Sequence, residues 1–101
     1  MSRLELQTEL ETFLGSTNVY FQPPESVKLK YPCIIYNLSS FDLKKADNII
    51  YNKKDTYNIK IVHYDPDNTL KDEILNKFEY ISPTSFYVVD NLYHYTYTLK
   101  Y

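Results

Sequence analysis

Leu6, Leu10, Phe13 and Leu14 recur at the spacing of one helical face, with Glu and Gln residues on the other side, and predict an amphipathic helix over residues 3–14. Ser2 followed by Glu5 reads as a capping box at its start, and Gly15 stands where a left-handed C-cap is needed. Val19, Tyr20 and Phe21 form a short apolar piece stopped by Pro23 and Pro24, an edge strand or a linker. Tyr31, Cys33, Ile34, Ile35, Tyr36 and Leu38 make a nearly continuous apolar run, too short for a helix and rich in β-formers, hence a central strand. Residues 39–55 are polar and charged around a small island at Ile49, Ile50 and Tyr51, and read as a long connection. Tyr57, Ile59 and Ile61 then alternate with Thr56, Asn58 and Lys60, the period of a half-buried strand that runs to about Tyr64. Asp65, Pro66, Asp67 and Asn68 break it, and Thr69 is placed to cap a short helix in which Leu70, Ile74, Leu75 and Phe78 share a face, ending near Glu79. Last come Phe86, Tyr87, Val88 and Val89, a two-residue turn at Asp90 and Asn91, and a return strand beginning at Leu92. On that return Tyr93, Tyr95, Tyr97, Leu99 and Tyr101 face one way, and His94, Thr96, Thr98 and Lys100 the other.

The order of these elements predicts an α+β fold, with an antiparallel or mixed sheet of about four strands and two helices packed on one face. At 101 residues and 12.1 kDa the chain has room for one domain, residues 1–101. An apolar fraction of 44% with no long polar tract makes that domain globular. The charged N-terminal stretch lacks the apolar core of a signal peptide, and no run approaches a membrane span, so a soluble protein without membrane contact is expected.

Composition removes several chemistries. One glycine leaves no Gly-rich phosphate loop. One Cys and two His fall short of the four ligands of a closed structural zinc site, and a lone Cys forms no internal disulfide. Asp65, Asp67 and Asn68 open like a calcium loop, but its sixth position is Leu70 instead of Gly and its twelfth is Asn76 instead of Glu. Cys33 lies inside an apolar strand instead of a cationic or helix-terminal setting, which speaks against a nucleophile served by His63 or His94, and His94 reads as a surface residue. Neither catalysis nor a cofactor or metal is expected.

Eleven Lys and Arg against 13 Asp and Glu give a net charge of -2, which disfavours binding through phosphates. The 12 Tyr residues therefore read as core or protein interface more readily than as base-stacking platforms, although Lys28, Lys30, Lys44, Lys45, Lys53 and Lys54 lie among them as in single-strand binders. With the chain's last residue a Tyr, the return strand is expected at an uncovered sheet edge, presenting Tyr93, Tyr95, Tyr97 and Tyr101 to a neighbouring subunit. The connection is too long for an ordinary loop and reads as an arm or extended hairpin that docks on a partner through Asp42, Lys44, Lys45, Asp47, Asn48, Ile50 and Tyr51.

Several stretches in order resemble the small tail-terminator and tail-completion (neck) proteins of tailed bacteriophages. They are Tyr31, Pro32, Cys33, Ile34, Ile35 and Tyr36; Ala46, Asp47 and Asn48 with Tyr51; Tyr57 to Val62; Asp65, Pro66 and Asp67; and Val89, Asp90, Asn91, Leu92 and His94. The resemblance spans roughly residues 19–101. It implies a non-catalytic virion subunit, assembled in the host cytoplasm, that forms a ring, typically a hexamer, at the head-proximal end of the tail tube. Such a ring terminates tail growth and joins tail to head. The implied partners are further copies of the chain, the tail-tube protein and the head–tail connector, with genomic DNA only passing through the lumen. The alternative is a single-stranded nucleic-acid-binding module with a Tyr/Lys-rich face.

Overall fold

The computed structural model describes residues 3–23, 28–46 and 49–101, and over 40–46 and 49–54 the backbone ladder alone. Its elements are α1 (Arg3–Leu14), β1 (Val19–Phe21), β2 (Cys33–Ala46), β3 (Ile49–His63), α2 (Leu70–Lys77), β4 (Ile81–Val89) and β5 (Leu92–Lys100). Five strands form one mixed sheet in the order β1-β2-β3-β5-β4, with β1 parallel to β2 and the remaining neighbours antiparallel. The α+β class holds, and the fifth strand is β1, which sits at one edge.

Pairing register sorts the side chains into two faces. Ile34 lies opposite Ile61 and Tyr36 opposite Ile59; Ile61, Ile59 and Tyr57 in turn lie opposite Tyr95, Tyr97 and Leu99. With Val19, these residues meet Leu6 and Leu10 of α1 and Ile74 and Phe78 of α2 in one core. Leu6 and Leu10 are one turn apart and fully buried, as the helical spacing requires. Gly15 takes a φ of 80° and its amide donates to the Glu11 carbonyl at 2.9 Å, closing α1 with the one residue that adopts this conformation without strain. The capping box involves Ser2, which lies outside the described residues, as does Pro24.

Polar pins fix α1 on this core. Gln7 donates through Nε2 to the Val19 carbonyl at 3.0 Å and accepts from the Tyr36 hydroxyl at 2.5 Å. The Arg3 guanidinium donates to the same Tyr36 oxygen at 3.3 Å and lies 4.4 Å from the Phe21 ring centre. At α2 the cap differs from the sequence expectation. Thr69 makes no side-chain cap bond; Asn68, one residue earlier and buried, accepts from the Lys71 amide and donates to the Asp65 carbonyl. Asp65 itself accepts from the Asp67 amide at 2.9 Å, so the calcium-like triplet is an Asx turn leading into the helix.

The charged stretch after Leu38, read from the sequence as a long connection forming an arm or extended hairpin, does take the extended-hairpin form: β2 and β3 stay paired from Ser40 opposite Thr56 out to Ala46 opposite Ile49. A ladder of this kind without sheet neighbours is held by its backbone hydrogen bonds. One further expectation is corrected. The Tyr-rich return strand β5 is internal, paired with β3 on one side and β4 on the other, so the edge lies at β4.

Candidate assembly surfaces

Beyond the pair Thr56 and Lys100, β3 has only two further bonds to the C-terminus, exchanged between the backbones of Asp55 and Tyr101 at 2.9 and 3.2 Å. From there outward β2 and β3 pair with each other alone. β1 reaches only as far as Tyr36 on the other flank of β2. The result is a two-stranded arm of about seven residues a side, roughly 23 Å long at the rise of an extended strand, in a molecule measuring 52 × 29 × 23 Å. Asp42, Lys44, Lys45, Ile50 and Tyr51 are placed on this arm by register, Asp42 opposite Lys54, Lys44 opposite Tyr51 and Lys45 opposite Ile50. Asp47 and Asn48 lie outside the described residues.

The four tyrosines of the C-terminal stretch have different surroundings. Tyr97 is 3% exposed and its hydroxyl donates to the Lys71 carbonyl at 2.8 Å, which places it in the core between β5 and α2 and away from any neighbour. Tyr95, half-buried, accepts from Asn68 Nδ2 at 3.4 Å. Tyr101, also half-buried, donates to the Glu9 carboxylate of α1. Tyr93 packs parallel to Phe86, with ring centres 6.3 Å apart.

The surface that sequence reading misplaced is β4. Eight of its nine residues are exposed, and Phe86 (56%), Tyr87 (38%), Val88 (51%) and Val89 (47%) form a contiguous apolar stretch on an open strand. A turn with φ of 54° at Asp90 and 61° at Asn91 joins it to β5, the left-handed pair that a two-residue hairpin demands. Phe86 stacks on Tyr95 at 5.0 Å on the helix side, and Tyr87 stacks on His94 at 4.7 Å and 9° on the other. The signal for this surface was present in the sequence, a strand from Ile81 to Val89 without a single charge.

On the helix-free face the rows are Cys33, Val62, His94 and Tyr87, then Ile35, Lys60, Thr96 and Ser85, then Asn37, Asn58, Thr98 and Ser82. His94 is not the plain surface residue expected. Its ring nitrogens are shielded from solvent beneath Tyr87, and burial, reinforced by the Lys60 ammonium, holds its pKa below the ordinary value. Cys33 is fully buried, and burial pushes its thiol up to about 11, the opposite of what an attacking thiolate needs. No group of three His, Cys, Asp or Glu capable of holding a metal occurs among the described residues. Glu5 and Glu9 line an open cleft of about 610 Å³ beside Leu4, Thr8 and Tyr101, where Glu9 is engaged by the Tyr101 hydroxyl. No described helix is long and apolar enough to cross a membrane.

No family model, curated protein or solved structure matches the chain.

Proposed function

We propose that this chain is a structural subunit of a tailed-phage neck, forming a ring at the head-proximal end of the tail tube that ends tail growth and joins tail to head. The observation that carries the reading is the arm: a two-stranded ribbon that runs on past the last pairing with β5 and, among the described residues, pairs with no third strand. A subunit that must meet its own copies and two unlike partners, tail tube and connector, needs docking elements separate from its core. The arm and the exposed β4 edge provide two. The apolar island at Ile49, Ile50 and Tyr51 supplies an anchor and the surrounding Asp and Lys residues a polar rim that sets register. A net charge of -2 suits a lumen through which DNA slides, because counterion-releasing contacts would hold it in place.

Loss of the protein during infection tests this. Filled heads and separate tails of irregular, excessive length are expected, and addition of the purified chain restores joining. Normally joined particles formed without it would remove the proposal.

One contact favours the rival reading: Lys60 Nζ lies 5.8 Å from the Tyr87 ring centre on the helix-free face, a cation beside an exposed aromatic. Against it, Tyr36, Tyr57 and Tyr97 are buried and offer no face to a base. Fluorescence anisotropy with an oligothymidine at low salt separates the readings: salt-sensitive binding in the micromolar range supports the rival, and its absence removes it.

A further inference from the structure

β4 is unevenly guarded. Natural edge strands avoid self-pairing through proline, bulges and charged side chains. The first half of β4 has two of these devices, Pro83 and a register shift between Pro83 and Ser85 where Thr84 is extra. Its second half, residues 85–89, has none: Ser-Phe-Tyr-Val-Val is uncharged, rich in β-formers, exposed, and regularly paired with β5 from Ser85 opposite Thr96 to Val89 opposite Leu92.

We infer that residues 85–89 pair antiparallel with the same segment of a second copy, about a two-fold axis at Tyr87. The inference goes beyond the proposed ring: a two-fold contact does not close a ring, so the pair belongs to the free subunit and covers this edge until assembly contacts replace it. The register sets Phe86 opposite Val88 and Ser85 opposite Val89 of the second copy, and brings Asp90 opposite Thr84, so no like charges meet. The charged arm is a poor occupant by comparison, since Lys44, Lys45, Lys53 and Lys54 would be brought against an uncharged apolar strand. Size sets the strength. The exposed fractions of Phe86, Tyr87, Val88 and Val89 amount to on the order of 350 Å² of apolar surface per copy, below the ~800 Å² per partner of a standard stable interface. The pair is therefore weak and dependent on concentration.

Sedimentation velocity of the full chain over about 5–200 µM tests this, with reversible self-association expected within that range. The 12.1 kDa species gives way to one of twice the mass as concentration rises. Val88→Lys, a charge on an exposed edge position, weakens the pair at least about tenfold while leaving the melting temperature unchanged. Tyr87→Cys forms a disulfide-linked dimer on oxidation, whereas Leu4→Cys, exposed on α1, does not; Cys33 is fully buried and adds no background. A chain that stays monomeric at the top concentration overturns the inference. So does a dimer that survives Val88→Lys, or a Tyr87→Cys variant that gives no linked dimer on oxidation. These outcomes are separable from the neck reading: a monomeric free chain found as a ring in particles sinks the pairing alone, and a β4 pair in a protein absent from particles sinks the neck alone.

Discussion

Tyr36, Tyr97 and Tyr101 each place a ring in or against the core and send the hydroxyl to a helix: to Gln7, to the Lys71 carbonyl and to Glu9. Tyrosine suits this because one side chain supplies both apolar area and a terminal donor. Tyr97→Phe removes one such bond and leaves the packing, so a loss of about 0.5–1.5 kcal/mol is expected, read as a fall of roughly 4–8 °C in melting temperature per kcal/mol. The same environment makes stability sensitive to alkali. Burial, with lesser contributions from Asp72 and Tyr95, pushes the Tyr97 phenol up to about 12, and burial followed by the Glu9 bond also raises Tyr101. A phenol whose folded pKa is raised keeps its proton when the unfolded chain has lost its own, so this stability is complete below the ordinary value of 10 and is lost as pH climbs towards 12. Urea midpoints should fall between pH 10 and about pH 12, less steeply in Tyr97→Phe; an unchanged midpoint in the native chain would contradict the assignment.

At the level of elements, the legible parts of the sequence were those with a buried face or an obligatory backbone conformation. Leu6 and Leu10 marked α1, Ile59 and Ile61 marked β3, and Gly15 and the Asp90–Asn91 turn marked their own dihedrals. What escaped was set by long-range pairing: nothing in the local sequence of Tyr93, Tyr95 and Tyr97 reveals that β5 inserts between β3 and β4, or that β1 runs parallel to β2. The arm was legible as an extended hairpin from its length and charge, but its register was not, because that is set by backbone pairing between β2 and β3. Its independence from the core is testable. Replacing residues 42–54 by Asn-Gly, which closes the hairpin just beyond Phe41 opposite Asp55, should leave the far-ultraviolet spectrum folded and the melting temperature within a few degrees, since the ribbon supports no third strand. Head-to-tail joining should be lost. The finer version, Ile50→Ser with Tyr51→Ser, is expected to do the same; a drop of several degrees in the isolated chain would place those side chains in its own core. By contrast Leu10→Ala in α1, fully buried, should cost about 2–5 kcal/mol, visible as an earlier urea midpoint.

For the whole molecule, one small core carries two elements that extend beyond it, an arm at the far end of β2–β3 and an exposed apolar half-edge on β4. A domain of this size has little stability to spend on exposed apolar strands, so surfaces of this kind make sense where another molecule covers them. The acidic balance, the buried thiol and the hydroxyl-pinned tyrosines are consistent with a scaffold that holds partners together. The proposed role, a ring subunit in a phage neck, is open to direct view by electron cryomicroscopy of intact tailed particles assembled with this protein. Several copies closed into a ring between the head and the tail tube are expected, each with its β2–β3 arm seated on a neighbouring protein. Particles in which the chain is absent, or present as an isolated single copy, would contradict it.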